Sequence, residues 1–540
     1  MNRKPVLGIF TATLIALSVI VMSGCEAQQE ELQPMDFTYT LTEVEVEETL
    51  AAIEEFESFV EEGRNLKIIS AEKKAEQQEA YIEQQYDAAQ IAYYSNLEDE
   101  DAYEDYVFAE DSHMQAEENM EAAYQKLYRS KLPAKLFVFA DWTEQKLEKI
   151  EGASKEASAL EQKQAELVRQ FVALDDPESD QWSAEVEKIY QKYVTSAGKL
   201  AGLYGYDSYY DYAASEIFMR DYTKNQRDAF RKIVKDQILP FWNEVDKQYG
   251  EKKDKLTKKQ KDQLEKLKDE TCKESNEYFA GYVDSFDGEL KTVMENLFVR
   301  KAIRYTKDEN AHVVAFTDYS EHFDQPFVFL GNEAQDMLTL VHELGHYAAF
   351  YHWPDETLPY DTCEVHSQGN EWLLLHYLDG KMDEEVYEAF LLWRLRGGLD
   401  TIIMCTIVDE YEETVYSMKQ TPEADNFEGI LTDVLKNYEG ITDYMSVDDI
   451  YTYIQYVTIE SAVYYLSYAT SELAAMTFYS MASEEGYAAA QAVYADLCLN
   501  TPSDNGFFDT LMDVGLPDPF EPKTAEKTIE AFRAIVNPAA

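Results

Sequence analysis

The sequence predicts a mainly α-helical protein with one small β-sheet, and three observations carry that prediction. Gly and Pro are scarce, 21 and 14 in 540 residues, which favours long helices over many short strands. From residue 35 to 132 there is no Pro and Gly63 is the only Gly, while apolar residues such as Leu50, Ile53 and Phe56 recur at three- to four-residue steps, the period of an amphipathic helix. The pattern changes only near residue 311. There 312–316 and 327–330 read as two short strands around a loop through 319–325, and Gly331 closes the second. Hydrophobic residues make up 45% and aromatics 13%, too much apolar material for a disordered chain.

The first 24 residues read as an address. Arg3 and Lys4 precede an apolar run over 6–22, and Met22-Ser23-Gly24-Cys25 follows. A basic start, an apolar stretch and small residues at a cut site form a secretory signal. The ending resembles the bacterial lipoprotein box, in which Cys25 is lipidated and becomes the first residue. The alternative is an uncleaved N-terminal anchor. Either way the body is expected outside the cytoplasm, held at the cell membrane. Residues 25–42 are expected to be a polar tether, 43–310 an N-terminal helical region and 311–540 a catalytic region. Pro133 and Pro177 punctuate the helical blocks, and 179–210 is helical and Tyr-rich.

The net charge is −58, or −60 once residues 1–24, whose only charged groups are Arg3 and Lys4, are removed. Phosphate needs a basic surface, so nucleic acid is not an expected partner. The single Lys-rich block, 252–268, reads as a solvated helix surface rather than a docking patch. Beyond Cys25 the four cysteines, Cys272, Cys363, Cys405 and Cys498, show no paired spacing and read as free thiols.

The chemistry sits in Asp336-Met-Leu-Thr-Leu-Val-His342-Glu343-Leu-Gly-His346. Residues four apart share a helix face, so His342 and His346 can offer two imidazoles to one zinc ion, with Glu343 beside them as a base for water. A third ligand is needed. His352 is six residues downstream, but Ala349 stands where a turning Gly would be required, so His352 reads as structural. Glu371 is the expected ligand. It shares a helical stripe with Glu364 and Ser367, and Pro354 and Pro359 let that helix fold back over the first. Glu364 is then expected to accept a hydrogen bond from a ligand imidazole.

His342-Glu-Leu-Gly-His346, followed by Glu364-x-x-Ser-Gln-x-x-Glu371-Trp, resembles the thimet oligopeptidase and oligoendopeptidase F family of zinc metallopeptidases. The likeness is specific over about 327–372 and weaker over 450–480. It implies a two-lobed helical metallopeptidase with a small sheet beside the HExxH helix and a deep substrate channel. It also implies one Zn2+ per chain on His342, His346 and Glu371, with Glu343 as general base. Phe329 and Gly331 would lie on an edge strand that pairs with the substrate backbone. Tyr468, and after it Tyr465, would stabilise the oxyanion. Two departures stand out. The family's His before these tyrosines is replaced by Tyr456 and Val457, and its Gly-rich loop by Thr458-Ile-Glu-Ser461. The implied activity is cleavage of internal bonds in short peptides. A non-catalytic peptide-binding lipoprotein and a related metallocarboxypeptidase are the alternatives.

Overall fold

A computed structural model describes residues 34–536 apart from 141, 143–154, 175–179, 270–272, 333, 353–357, 444 and 502–504. The proposed lipidation site Cys25, the first half of the tether (25–33), and Pro177, Cys272 and Pro354 therefore lie outside the described residues.

Three long helices open the chain: α1 (Glu43–Glu62), α2 (Asn65–Ser95) and α3 (Glu100–Arg129). Thr42 and Glu45 cap α1 reciprocally, side chain to backbone, and Gly63 ends it at φ 69°, a left-handed turn that glycine adopts without strain. The three helices share small apolar clusters built on Ile53, Phe56, Ile68 and Leu127, and on Ile82, Ala89 and Tyr106. The main core is different. It runs without a break from Met35 through α4 (Lys155–Val172) and α5 (Asp180–Leu203) to Phe532. Residues on both sides of position 310 contribute to it. The expected tether also ends early. Met35 is buried and its N–H donates to the Arg300 carbonyl at 2.8 Å, and Leu41 is buried too. These apolar residues dock what a polar reading left free.

The sheet has three strands, β1 (Ile303–Tyr305), β2 (Ala315–Ser320) and β3 (Gln325–Leu330), in the order β1-β3-β2. The first expected strand is displaced toward the C-terminus. Antiparallel pairing runs from Ala315↔Leu330 to Ser320↔Gln325, so Tyr319 and Ser320 belong to the ladder and not to the loop. β3 is also not an edge. It pairs in parallel with β1, Arg304 opposite Phe329, and antiparallel with β2, Phe316 opposite Phe329. Phe329 is fully buried and Gly331 donates its N–H to the Val314 carbonyl at 2.8 Å. Neither residue can pair with a substrate backbone. The edge next to the HExxH helix is β2.

Helices return with α6 (Met337–Phe350), α7 (Tyr360–Leu378), α8 (Glu384–Tyr416), α9 (Val447–Glu460) and α10 (Leu466–Glu484). Asp336 caps α6 by accepting from the Leu338 and Thr339 N–H groups at 2.9 and 3.1 Å. Where α6 and α7 cross, a Cβ on Gly345 would stand 2.6 Å from the His366 carbonyl oxygen and 2.7 Å from the Ser367 Cα. Only glycine allows this approach, which brings the first turns of α7 onto the two histidines.

Candidate metal centre

His342 and His346 stand one turn apart on α6 and meet edge to face, with ring centroids 5.0 Å apart. Facing them is Glu364. Its Oε2 lies 3.5 Å from His342 Nε2 and 3.6 Å from His346 Nε2. Those three atoms form the one group of potential metal ligands among the described residues. Ligands held tetrahedrally at about 2.0–2.1 Å from a zinc ion stand about 3.4 Å from one another. The observed spacings match that figure and are long for direct hydrogen bonds. The donor set of two imidazoles and a carboxylate fits zinc and leaves a position open, as a catalytic site requires.

This exchanges the parts expected of the two glutamates. Glu371 is not in the group. Its Oε1 is 2.9 Å from the opposite nitrogen of His342, Nδ1. That contact directs the His342 proton to Nδ1 and turns the Nε2 lone pair toward His346 and Glu364. The other Glu371 oxygen, Oε2, accepts from Arg394 Nε at 2.8 Å. Arg394, on α8, also donates through Nη1 and Nη2 to Glu472 of α10, at 2.9 and 3.2 Å, and Trp372 Nε1 donates to the same carboxylate at 3.2 Å. Three helices therefore converge on the back of His342.

Glu364 is held as firmly. Ser367 Oγ donates to its Oε2 at 2.9 Å, and the Tyr464 hydroxyl donates to its Oε1. Arg220 fixes that tyrosine's backbone, with Nη2 donating to the Tyr464 carbonyl at 2.9 Å and to Ser467 Oγ at 3.0 Å.

Burial and charge set the protonation of the cluster. For His342, burial disfavours the cation, but the carboxylates of Glu371, Glu364 and Glu343 outweigh it and raise the imidazole to about 9. For His346, burial and the neighbouring His342 act together and hold it well below the usual value. Burial raises Glu364. Glu371 is also buried, yet Arg394 and His342 bring it below the ordinary carboxylate range. Burial lifts Glu343 to about 7. Its Oε2 accepts from Thr317 Oγ1 at 2.7 Å, so the edge strand β2 orients the base.

Tyr464, Tyr465 and Tyr468 form an aromatic group, with Tyr468 5.0 Å from Tyr464 and 5.6 Å from Tyr465 between ring centroids. Burial raises Tyr468 well above its ordinary value, and Glu364 and Glu343 add to the shift. The phenol therefore lies within the field of both carboxylates. Tyr465 is raised by burial, and Cys405 and Glu460 act on it more strongly than Glu364. In front of the group, Val463 adopts φ 67° and its N–H donates to Glu412 Oε1 at 2.9 Å. A β-branched residue there stores local strain, roughly 1–3 kcal/mol, where the sequence lacks a glycine-rich loop.

Tyr456, at the place of the missing histidine, packs against Trp182 and Phe171 at 5.0 and 6.0 Å. His352 lies beyond the end of α6, with Nε2 3.3 Å from Glu289, and joins no metal-ligand group among the described residues. Cys363, Cys405 and Cys498 are buried. Arg394 and Thr317 were not expected at the site. A lone Arg inside the apolar run Phe390-Leu-Leu-Trp-Arg394-Leu was the available signal for the first.

Comparison with solved structures places this architecture. PZ peptidase A, solved with an inhibitor, superposes with a TM-score of 0.73 at 16% identity, over 93% of this chain and 99% of that one. A Bacillus anthracis protein assigned as oligoendopeptidase F gives 0.70 at 17% identity, over 94% and 98%. Oligoendopeptidase-F from Enterococcus faecium gives 0.59 at 15%, over 92% and 96%. The chain thus has the helical oligoendopeptidase fold, with its small three-stranded sheet. No family model matches the sequence, and no curated protein matches it.

Proposed function

We propose that the protein is a zinc metallopeptidase that hydrolyses internal bonds of short peptides, outside the cytoplasm and tethered to the cell membrane through Cys25. The observation that carries the catalytic part is the meeting of His342 Nε2, His346 Nε2 and Glu364 Oε2 at metal-ligand spacing, with Glu343 beside them. The neighbours' names and the shared fold support the substrate class.

His342, His346 and Glu364 would hold a zinc ion, which would supply Lewis-acid polarisation of a peptide carbonyl and lower the pKa of water. Glu343, oriented by Thr317, would take a proton from the attacking water and return it to the departing amine. Tyr468 donates a hydrogen bond to the oxygen on which negative charge grows, with Tyr465 next to it. Tyr464 is committed to Glu364 and does not compete for that role. β2 offers its unpaired edge to an extended peptide, which it aligns by backbone pairing. The membrane part rests on the sequence of residues 1–25 alone.

The test is zinc content together with cleavage of a quenched peptide library, the products read by mass. One zinc per chain and internal fragments are expected, with Glu343→Gln inactive but still zinc-loaded. Single C-terminal residues as products would make it a carboxypeptidase, and full activity in Glu343→Gln would overturn the mechanism.

A further inference from the structure

The end of the α1–α3 hairpin has a chemistry unlike the rest of this acidic chain. Residues 63–69 and 126–139 carry six basic side chains, Arg64, Lys67, Lys126, Arg129, Lys131 and Lys135, and no acidic one, in a protein of charge −58. The fold puts the two stretches together. The Ala134 N–H donates to Asn65 Oδ1 at 3.0 Å, and a Cβ on Gly63 would lie 3.5 Å from Leu132 Cδ2. On this end stand the three most exposed large apolar side chains among the described residues, Leu66 at 87%, Leu136 at 72% and Phe137 at 69%. Arg64 and Lys126 pair with Glu62, Glu57 and Glu61. Lys67, Lys131 and Lys135 make no ion pair among the described residues; Lys67 rests over the Phe59 ring, and Lys135 Nζ donates to the Tyr128 and Ser130 carbonyls.

Apolar side chains that stand out from a basic rim match a bilayer whose headgroups are anionic: the side chains enter the acyl boundary and the cations meet phosphate. The Lys-rich helices around 252–268 lack this pairing. Asp254, Asp262 and Glu265 interrupt them, and no large apolar side chain is exposed there. We propose that the α1–α3 tip docks on an anionic lipid surface and fixes which face of the protein meets the membrane. The reach of the chain agrees. Cys25 and Pro34 are nine residue steps apart, about 30 Å when extended, and α1, with its 20 residues, covers about 30 Å from that region to the tip. A lipid on Cys25 and the tip can therefore touch one bilayer together. The proposal extends the tethered reading but does not depend on the peptidase reading.

The test uses the chain from residue 26, which keeps every described residue and carries no lipid, in flotation with vesicles. Phosphatidylglycerol:phosphatidylcholine vesicles at 3:7 should bind it at least tenfold more strongly than phosphatidylcholine alone, and 0.5 M salt should weaken the binding. The triple variant Leu66→Ser, Leu136→Ser, Phe137→Ser and the triple variant Lys67→Gln, Lys131→Gln, Lys135→Gln should each lower binding at least tenfold, with circular dichroism and peptidase activity unchanged. No binding, equal binding to both vesicles, or wild-type binding by either variant overturns the proposal. So does a concentration-dependent dimer in sedimentation that the serine variant abolishes, which would mean that a second copy covers this face.

Discussion

Replacing Glu371 with Gln separates the two glutamates more sharply than removing either one. Gln keeps the shape and loses the symmetry of the carboxylate. With its oxygen toward His342 Nδ1, its NH2 group meets the Arg394 Nε–H now donated at 2.8 Å, two donors face to face. With the amide flipped, its N–H meets His342 Nδ1, now 2.9 Å away. That forces the proton onto Nε2, the nitrogen facing His346 and Glu364. Either choice loses a charge-assisted hydrogen bond of about 1.5–3 kcal/mol. Partners of this kind change metal affinity by about 10–100-fold. Arg394 retains Glu472 at 2.9 and 3.2 Å, so the fold should survive. Glu364→Gln instead replaces a ligand with a neutral group, and should weaken zinc by well over 100-fold. Competition with a chelator of known affinity, followed by zinc-dependent melting, reads both constants. Wild-type affinity in Glu371→Gln, or a loss there larger than in Glu364→Gln, would refute the division of roles.

Other predictions follow from the same geometry. Tyr468→Phe should lower kcat by about 100–1,000-fold with zinc affinity unchanged, whereas Tyr464→Phe, which loses the hydrogen bond to Glu364, should weaken zinc binding; steady-state kinetics and chelator competition distinguish them. Gly345→Ala puts a methyl 2.6 Å from the His366 carbonyl and should lower stability by about 1–3 kcal/mol together with zinc affinity, read by urea unfolding and titration. Glu413 is buried, yet Arg231, Lys224 and Arg227 draw its carboxyl down to about 2. A depressed folded value gives stability that is present above the ordinary value of about 4.5 and is lost as pH falls from there toward 2. That amounts to about 3 kcal/mol, so urea midpoints should fall less steeply below pH 4.5 in Glu413→Gln than in wild type. Glu83 has the opposite sign. Burial first, then Asp87, raises it to about 10, so it destabilises the fold increasingly from about pH 4.5 upward, and Glu83→Gln should raise the urea midpoint at pH 8.

The helical body and the HExxH helix were legible because periodicity and a cap such as Asp336 are local. The proposed third ligand was not. Glu364 and Glu371 lie two turns apart on one stripe, about 10 Å along the axis, and the stripe alone does not say which turn faces which nitrogen of His342. The crossing at Gly345 decides it, through contact with His366 and Ser367. β1 escaped notice because it is three residues long, too short for alternation to register. Its parallel pairing is what turns β3 from an edge into the middle of the sheet. Arg394 depends on contacts 23 and 78 residues away in sequence, beyond the reach of any local pattern.

Anomalous diffraction at the zinc absorption edge, from crystals of the zinc-loaded protein, tests the central claim most directly. One peak is predicted, about 2.0–2.2 Å from His342 Nε2, His346 Nε2 and a Glu364 oxygen, with Glu371 still on His342 Nδ1. A peak ligated by Glu371 in place of Glu364, or no peak between the two histidines, would contradict the account.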